Sequence, residues 1–243
     1  MVKDKENSVS VIFQIFLHNR YLARMTQACL TNLREFIPPE ELEVVVVHNQ
    51  SQLFNGEAKK ELTENDIYLP QQGVNLRLGK GLNLGIEASS SNYILILAND
   101  VMVHHDFYQP LKESLKYLDF VIPWLWRFGY NNYQEAKVKS GKNSIIEYNF
   151  CNGGGNCCLF KRETYEKLGK FDENLFVKCD RDYMWRMEEL GLKCGMNLKS
   201  HATHLGSMTW INEGFINEEI FGRGFNDWGG FDNPYLIKKW GKC

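Results

Sequence analysis

The chain has 243 residues, 44% hydrophobic and 24% charged, with 28 Lys and Arg against 30 Asp and Glu. That length fits one large domain or two small halves sharing an interface, and it buries enough surface to fold without staples. The balanced charge excludes a global field for nucleic acid or an anionic membrane, and no apolar run reaches the roughly 18 residues of a transmembrane segment.

Val9–Leu17 reads as a buried strand, and Tyr21, Leu22, Met25, Cys29, Leu33 and Phe36 then recur at helical spacing until Pro38-Pro39 stops the helix. Leu42–Val47, with four consecutive valines, is the continuous apolar run of a parallel strand covered on both faces. Residues 50–75 are polar and loop-like. Gly81–Ser89 reads as a helix and Tyr93–Leu97 as a third apolar strand. This β-α-β-α-β order predicts an open, mostly parallel α/β sheet flanked by helices. In the second half, Asp106 is placed to cap a helix running to about Leu118, and Phe120–Trp126 suits a strand. Residues 127–149 are irregular. Asn152–Asn156 is a glycine-rich break before the apolar Cys157–Phe160. Helices Glu163–Leu168 and Asp180–Leu190 close at Gly169 and Gly191. The Trp-, Gly- and Asn-bearing tail reads as a loop folded over a site.

The opening Lys3-Asp4-Lys5-Glu6 carries neither an apolar signal core nor a small-residue cleavage site, so a soluble cytoplasmic protein is expected. The seven cysteines include adjacent Cys157 and Cys158 and a terminal Cys243, with no Cys-x-x-Cys pair. That spacing suits thiols in a reducing compartment, not a disulfide framework or a cysteine-only zinc site.

Four motifs carry chemistry. Gly79–Gly85 is glycine-rich and enters a helix, so its N–H groups could face a phosphate or simply make a turn; it is neither a P-loop nor the dinucleotide fingerprint. Ala98-Asn99-Asp100 follows an apolar strand, at the end where ligands of open α/β sheets collect. The hard oxygen of Asp100 suits Mg²⁺ or Mn²⁺ bridging a diphosphate, against a plain capping role. On a helix opening at Asp180, that residue falls on the apolar arc of Tyr183, Met184 and Met187, while Asp182 falls opposite beside Arg186. Asp182 therefore reads as half of a solvent-side ion pair and Asp180 as the inward carboxylate, with helix capping the alternative for both. His201 and His204 could ligate metal or be ordinary surface histidines.

Together these residues resemble the family 2 glycosyltransferases of the GT-A fold. The likeness runs through Val9–Arg20, Val44–Ser51, Lys80–Ala88 with Tyr93–Asp100, Gly155–Phe160, and Gly169-Lys170-Phe171-Asp172-Glu173. It continues through Asp180–Arg186 and Asn233–Gly241. Three positions depart from the family pattern: Ala98-Asn99-Asp100 keeps only the last carboxylate of an Asp-x-Asp motif, His48 replaces an Asp that reads base or ribose, and Cys179 replaces a Glu. The resemblance implies one GT-A domain over 1–243, with a nucleotide-sugar half at 8–105 and an acceptor-binding and catalytic half at 106–243.

It further implies metal-dependent transfer of a sugar from a nucleoside-diphosphate donor, UDP-linked, to a hydroxyl of a glycan or other acceptor, with inversion. Mn²⁺ or Mg²⁺ would sit on Asp100 and His204, preferred over His201 because Gly206-Ser207 follows it. Phe16, His18, His48, Asn49, Arg77, Lys80, Asn83, Asn99, Asp100, Gly154 and Gly155 would bind the donor. Asp180 would be the general base on a catalytic helix shared with Asp182, and a Trp- and Gly-rich loop near Trp210–Trp228 would exclude water. Related retaining enzymes use a similar Asp and His metal set. An inactive carbohydrate-binding relative would keep the aromatics and lose the metal. A nucleotidyltransferase would need a Gly-rich, basic loop after the first strand, where Phe16–Arg20 stands instead.

Overall fold

β-Branched and aromatic residues open the fold as β1 (Val9–Phe16), in which only Gln14 is not fully buried. A computed structural model describes residues 5–17, 19–49, 54–71, 76–127, 144–148, 156–176, 178–205 and 232–242. The Asn19 side chain accepts from the Leu22 N–H (2.9 Å) and so caps α1 (Arg20–Phe36), giving the chain a defined entry into its first helix. The fully buried β2 (Leu42–Asn49) follows, then α2 (Asn55–Lys59), β3 (Ile67–Pro70), α3 (Arg77–Ala88), β4 (Tyr93–Leu97) and β5 (Val101–Val103). The second half runs α4 (Tyr108–Ser114), β6 (Phe120–Arg127), β7 (Ile145–Tyr148), β8 (Cys157–Lys161) and α5 (Arg162–Leu168). It ends with α6 (Cys179–Glu189), β9 (Cys194–His204) and α7 (Asn233–Trp240).

The nine strands of the described residues form one sheet in the order β3-β2-β1-β4-β8-β6-β9-β5, with β7 also on β9. The first four strands pair in parallel, as expected. The remainder is mixed: β8 is antiparallel to both β4 and β6, β6 is parallel to β9, and β5 and β7 run antiparallel to β9. One face packs Val11, Phe13 and Val46 against α1, α2 and α4. The other packs Ile12, Val45 and Phe160 against α3, α5, α6 and α7.

Several expectations change. Residues 50–75 hold α2 and β3, whose short, weakly apolar sequences give little periodic signal. Asp106 caps nothing: its φ is +61°, its Oδ2 lies 2.8 Å from Nδ1 of the exposed His105, and α4 begins after Phe107 without a side-chain cap. That helix ends at Ser114, four residues early, in turns through Leu118. β5, β7, β9 and α7 lie where composition marked no element. No helix among the described residues is long and apolar enough to cross a membrane. Five described cysteines, Cys29, Cys157, Cys158, Cys179 and Cys194, are free and buried.

Candidate active site

The turn from β4 to β5 is tied down from three directions. Ala98 N–H donates to the Asn156 carbonyl (2.8 Å), the Asn99 amide donates to Thr26 Oγ1 on α1 (3.0 Å), and Leu205 N–H donates to the Asp100 carbonyl (2.8 Å). The antiparallel register of β5 on β9 sets Val101 opposite His204. Asp100 and His204 therefore meet, with Oδ2 3.2 Å from Nε2 and side chains only 4% and 2% exposed. A hard carboxylate oxygen and an imidazole nitrogen brought this close form the kind of pair that Mn²⁺ accepts. Among the described residues no cluster of three or more such ligands occurs. His201 points elsewhere: it packs edge-on to His104 and Trp126. Burial, then the neighbouring His201, lowers the His104 pKa.

The expected donor residues divide. Phe16 and Asn49 are register partners at the ends of β1 and β2, and the Asn49 side chain accepts from Leu76 N–H (3.4 Å) beside α3. His48 does not join them. Alternation along β2 turns it to the opposite face, where it is 0% exposed and its Nδ1 lies 2.7 Å from the Tyr68 hydroxyl. Burial drops its pKa to about 4, so the ring is neutral at physiological pH. Arg77 and Lys80 are exposed on the first turn of α3, with the Arg77 guanidinium 5.6 Å from the centre of the Phe176 ring. His18, Gly154, Gly155 and the Trp210–Trp228 loop lie outside the described residues.

The glycine-rich motif is not a phosphate loop. Gly79, Gly81 and Gly85 lie inside α3 and let it approach its neighbours: a Cβ at Gly79 would meet the Asp172 carbonyl at 2.8 Å, and one at Gly85 would meet Ile12 at 2.5 Å. Asn83 also departs from the donor-binding expectation. It is 1% exposed, its amide donates to Phe171 O (2.9 Å) and Glu173 Oε1 (3.0 Å), and its carbonyl accepts from Phe171 N–H (2.9 Å). Both ends of the side chain are engaged in holding the 171–173 loop, which leads to α6.

The two α6 carboxylates differ in a way that helical periodicity did not anticipate. Asp180 is half-buried in the first turn, where it accepts from Arg181 N–H (2.8 Å). It lies near Cys158, whose thiol is held well above its usual range by burial, then by Cys157 and Asp180. Asp182 is not on a solvent face; it is 0% exposed. Its Oδ2 accepts from Arg186 Nε (3.0 Å), while Oδ1 accepts from Trp240 Nε1 (2.8 Å) and pairs with Lys239 Nζ (2.7 Å). The reason is α7, which covers the α6 face opposite the sheet. Asp232, the residue just before that helix, fastens the loop leading to α6: its carboxylate accepts from Phe176 N–H (2.7 Å) and Lys178 N–H (2.8 Å). Lys239 and Tyr235 both donate to Asp172 (2.7 and 2.8 Å). Burial alone would raise the Asp172 pKa, but donors from Lys239, Asn174 and Tyr235 bring it down to about 2. Lys239 and Trp240 were missed as structural partners because their only sequence signal is the short Asn233–Gly241 motif, and Asp232 lies just outside that motif.

A parallel nucleotide-type half joined to a mixed second half, with a carboxylate at the end of the central β4, defines the GT-A class of glycosyltransferase fold. A crystal structure of GalNAc-T7 with UDP, GalNAc and Mn²⁺ has this fold; the likeness has a TM-score of 0.64 at 13% identity, over 82% of this chain and 43% of that one. The present chain thus spans less than half the length of that relative. Residues 13–169 match the glycosyl transferase family 2 profile, and the chain belongs to that family. No curated protein matches it.

Proposed function

We propose that this glycosyltransferase moves a sugar from a UDP-linked donor to a hydroxyl acceptor, with inversion and with a divalent cation at Asp100 and His204. The buried Asp100–His204 pair carries the reading. Two protein ligands of this chemistry leave coordination positions for diphosphate oxygens, and GalNAc-T7 was crystallised with both UDP and Mn²⁺. The cation would neutralise charge on the departing diphosphate.

The chain's own residues do the rest. Phe16 and Asn49 line the nucleoside side, and Arg77 and Lys80 add positive charge at the start of α3. Asp180 takes the acceptor's proton as the hydroxyl attacks the anomeric carbon. A carboxylate has to be ionised to act as that base. The reading keeps one domain, with donor residues over 8–105 and acceptor residues over 106–243. It places the reaction in the cytoplasm, in keeping with the buried free thiols.

The test is a titration of UDP with and without Mn²⁺, alongside hydrolysis of a nucleotide-sugar panel. Asp100→Ala and His204→Ala should each lose the Mn²⁺-dependent part of UDP affinity, whereas His201→Ala should keep it. Equal UDP affinity in Asp100→Ala, or in EDTA, would refute the metal assignment.

A further inference from the structure

Beyond the donor site, the far end of β6 and β9 carries a group of side chains that the proposed chemistry has not used. Trp124 and Trp126 meet edge to face at 6.2 Å between ring centres, Trp126 meets His201 at 6.3 Å, and His201 meets His104 at 6.4 Å. His104 Nε2 lies 2.8 Å from Thr203 Oγ1, and the His104 N–H donates to the His201 carbonyl (3.1 Å). Trp126, His104, His201 and Thr203 are each half-buried. The group is therefore held by strand register and by its own hydrogen bonds.

Its direction follows from the sheet. Phe120 and Ile122 pack in the core beneath α5 and α6. Trp124 and Trp126 continue that alternation, pairing with His201 and Thr203 beyond a register shift, while Leu125 packs on the α1 side. Trp126 and Met196 both pack against the Trp124–Leu198 pair, and Met196 also packs on the α6 core. The aromatic group and Asp180 consequently lie on one face of the sheet, where the attacking hydroxyl has to arrive.

We propose that Trp126, His104, His201 and Thr203, backed by the buried Trp124, form the acceptor subsite, and that the acceptor it takes is a pyranoside. This rests on the glycosyl-transfer reading above and names the acceptor's chemistry. A pyranose presents a patch of C–H groups ringed by hydroxyls. Indole faces suit the first, and imidazoles and a threonine hydroxyl, each able to donate and accept, suit the second. An acyl chain would call for an aliphatic groove and a phosphorylated acceptor for Lys or Arg; none of these five side chains is either.

The test uses the full chain with three probes: methyl β-D-galactopyranoside, methyl β-D-glucopyranoside and the methyl glycoside of N-acetylglucosamine. An end-blocked threonine peptide and n-octanol serve as comparators. Binding is read by saturation-transfer NMR, with UDP and Mn²⁺ titrated into the same samples. At least one glycoside should bind saturably and neither comparator should. Trp126→Ala should weaken that binding about tenfold, a loss matching one aromatic contact. Trp126→Phe, which keeps a ring and protects against misfolding of the truncated variant, should stay within about threefold of the parent. The proposal is overturned if no glycoside binds, if a comparator binds in place of the glycosides, or if Trp126→Ala and His201→Ala leave glycoside binding unchanged. UDP binding separates the two readings. Its loss with Trp126-dependent glycoside binding retained sinks the donor assignment alone, and its retention without glycoside binding sinks the subsite alone.

Discussion

Replacing Asp182 with asparagine separates the two carboxylates of α6. The Asp182 side chain is 0% exposed and its two oxygens meet Arg186, Lys239 and Trp240. The amide of the variant would keep one acceptor oxygen but turn an NH₂ group toward one set of those donors. Removing one partner of a buried ion pair costs about 3–5 kcal/mol, because the remaining charges stay buried and unpaired. Arg186 and Lys239 are 18% and 32% exposed, so both reach some water and the lower end applies. A loss of about 3 kcal/mol in a chain this long lowers Tm by roughly 6–12 °C. Asp180→Asn, in contrast, removes a half-buried carboxylate from a first helical turn, worth about 0.3–1 kcal/mol, and should barely move Tm. Its effect should fall on kcat, by about 10²–10⁴, with donor Kd unchanged. Thermal melts, single-turnover transfer rates and a donor titration on both variants decide the matter. If Asp182→Asn melts within about 2 °C of the parent and is inactive while Asp180→Asn turns over, the assignment of roles is refuted.

Other outcomes follow from the packing. Gly79→Ala should destabilise by about 1–2 kcal/mol in urea, because its methyl meets the rigid Asp172 carbonyl at 2.8 Å. Gly81→Ala should cost less than Gly79→Ala, since the end of the Gln14 side chain that its methyl meets can swing aside at the loss of one hydrogen bond to the Arg77 carbonyl; the reverse order would contradict this reading of α3. His48 has a native pKa near 4 against an ordinary 6.5, so only the unfolded state takes up its proton between those values. Stability should therefore fall as pH drops through that window, and urea midpoints of His48→Gln should fall less; parallel slopes would remove His48 as the cause. Trp240→Phe deletes one donor to the buried Asp182 carboxylate and should cost about 1–3 kcal/mol by the same assay, while an unchanged midpoint would show that α7 does not clasp α6.

Much of the donor half was legible in the sequence. β1, β2 and β4 announce themselves as buried apolar runs, and α1 by its periodicity and the prolines that end it. The carboxylate of Asp100 at the end of β4 was equally plain. Each of these is a local pattern whose physics is complete within a few turns or one strand. Asp182 shows the limit of such patterns. Periodicity identified the apolar arc of α6 but treated the opposite arc as solvent, and α7 fills it. Gly79, Gly81 and Gly85 show the same limit, because a glycine needed for close helix packing and one needed for a phosphate loop look alike in one dimension.

The sequence by itself determined the buried strands β1, β2 and β4, the extent of α1, and which family pattern the chain follows. The tertiary structure alone decided which side chains meet. Asp100 and His204 come together because β5 and β9 pair in one register, and Asp182 finds Trp240 because α7 folds back over α6. Trp126 meets His201 because β6 and β9 run parallel past a register shift. Hydrophobic burial is written in short-range spacing, whereas hydrogen bonds and ion pairs between distant segments depend on strand order and helix docking, which no local spacing encodes.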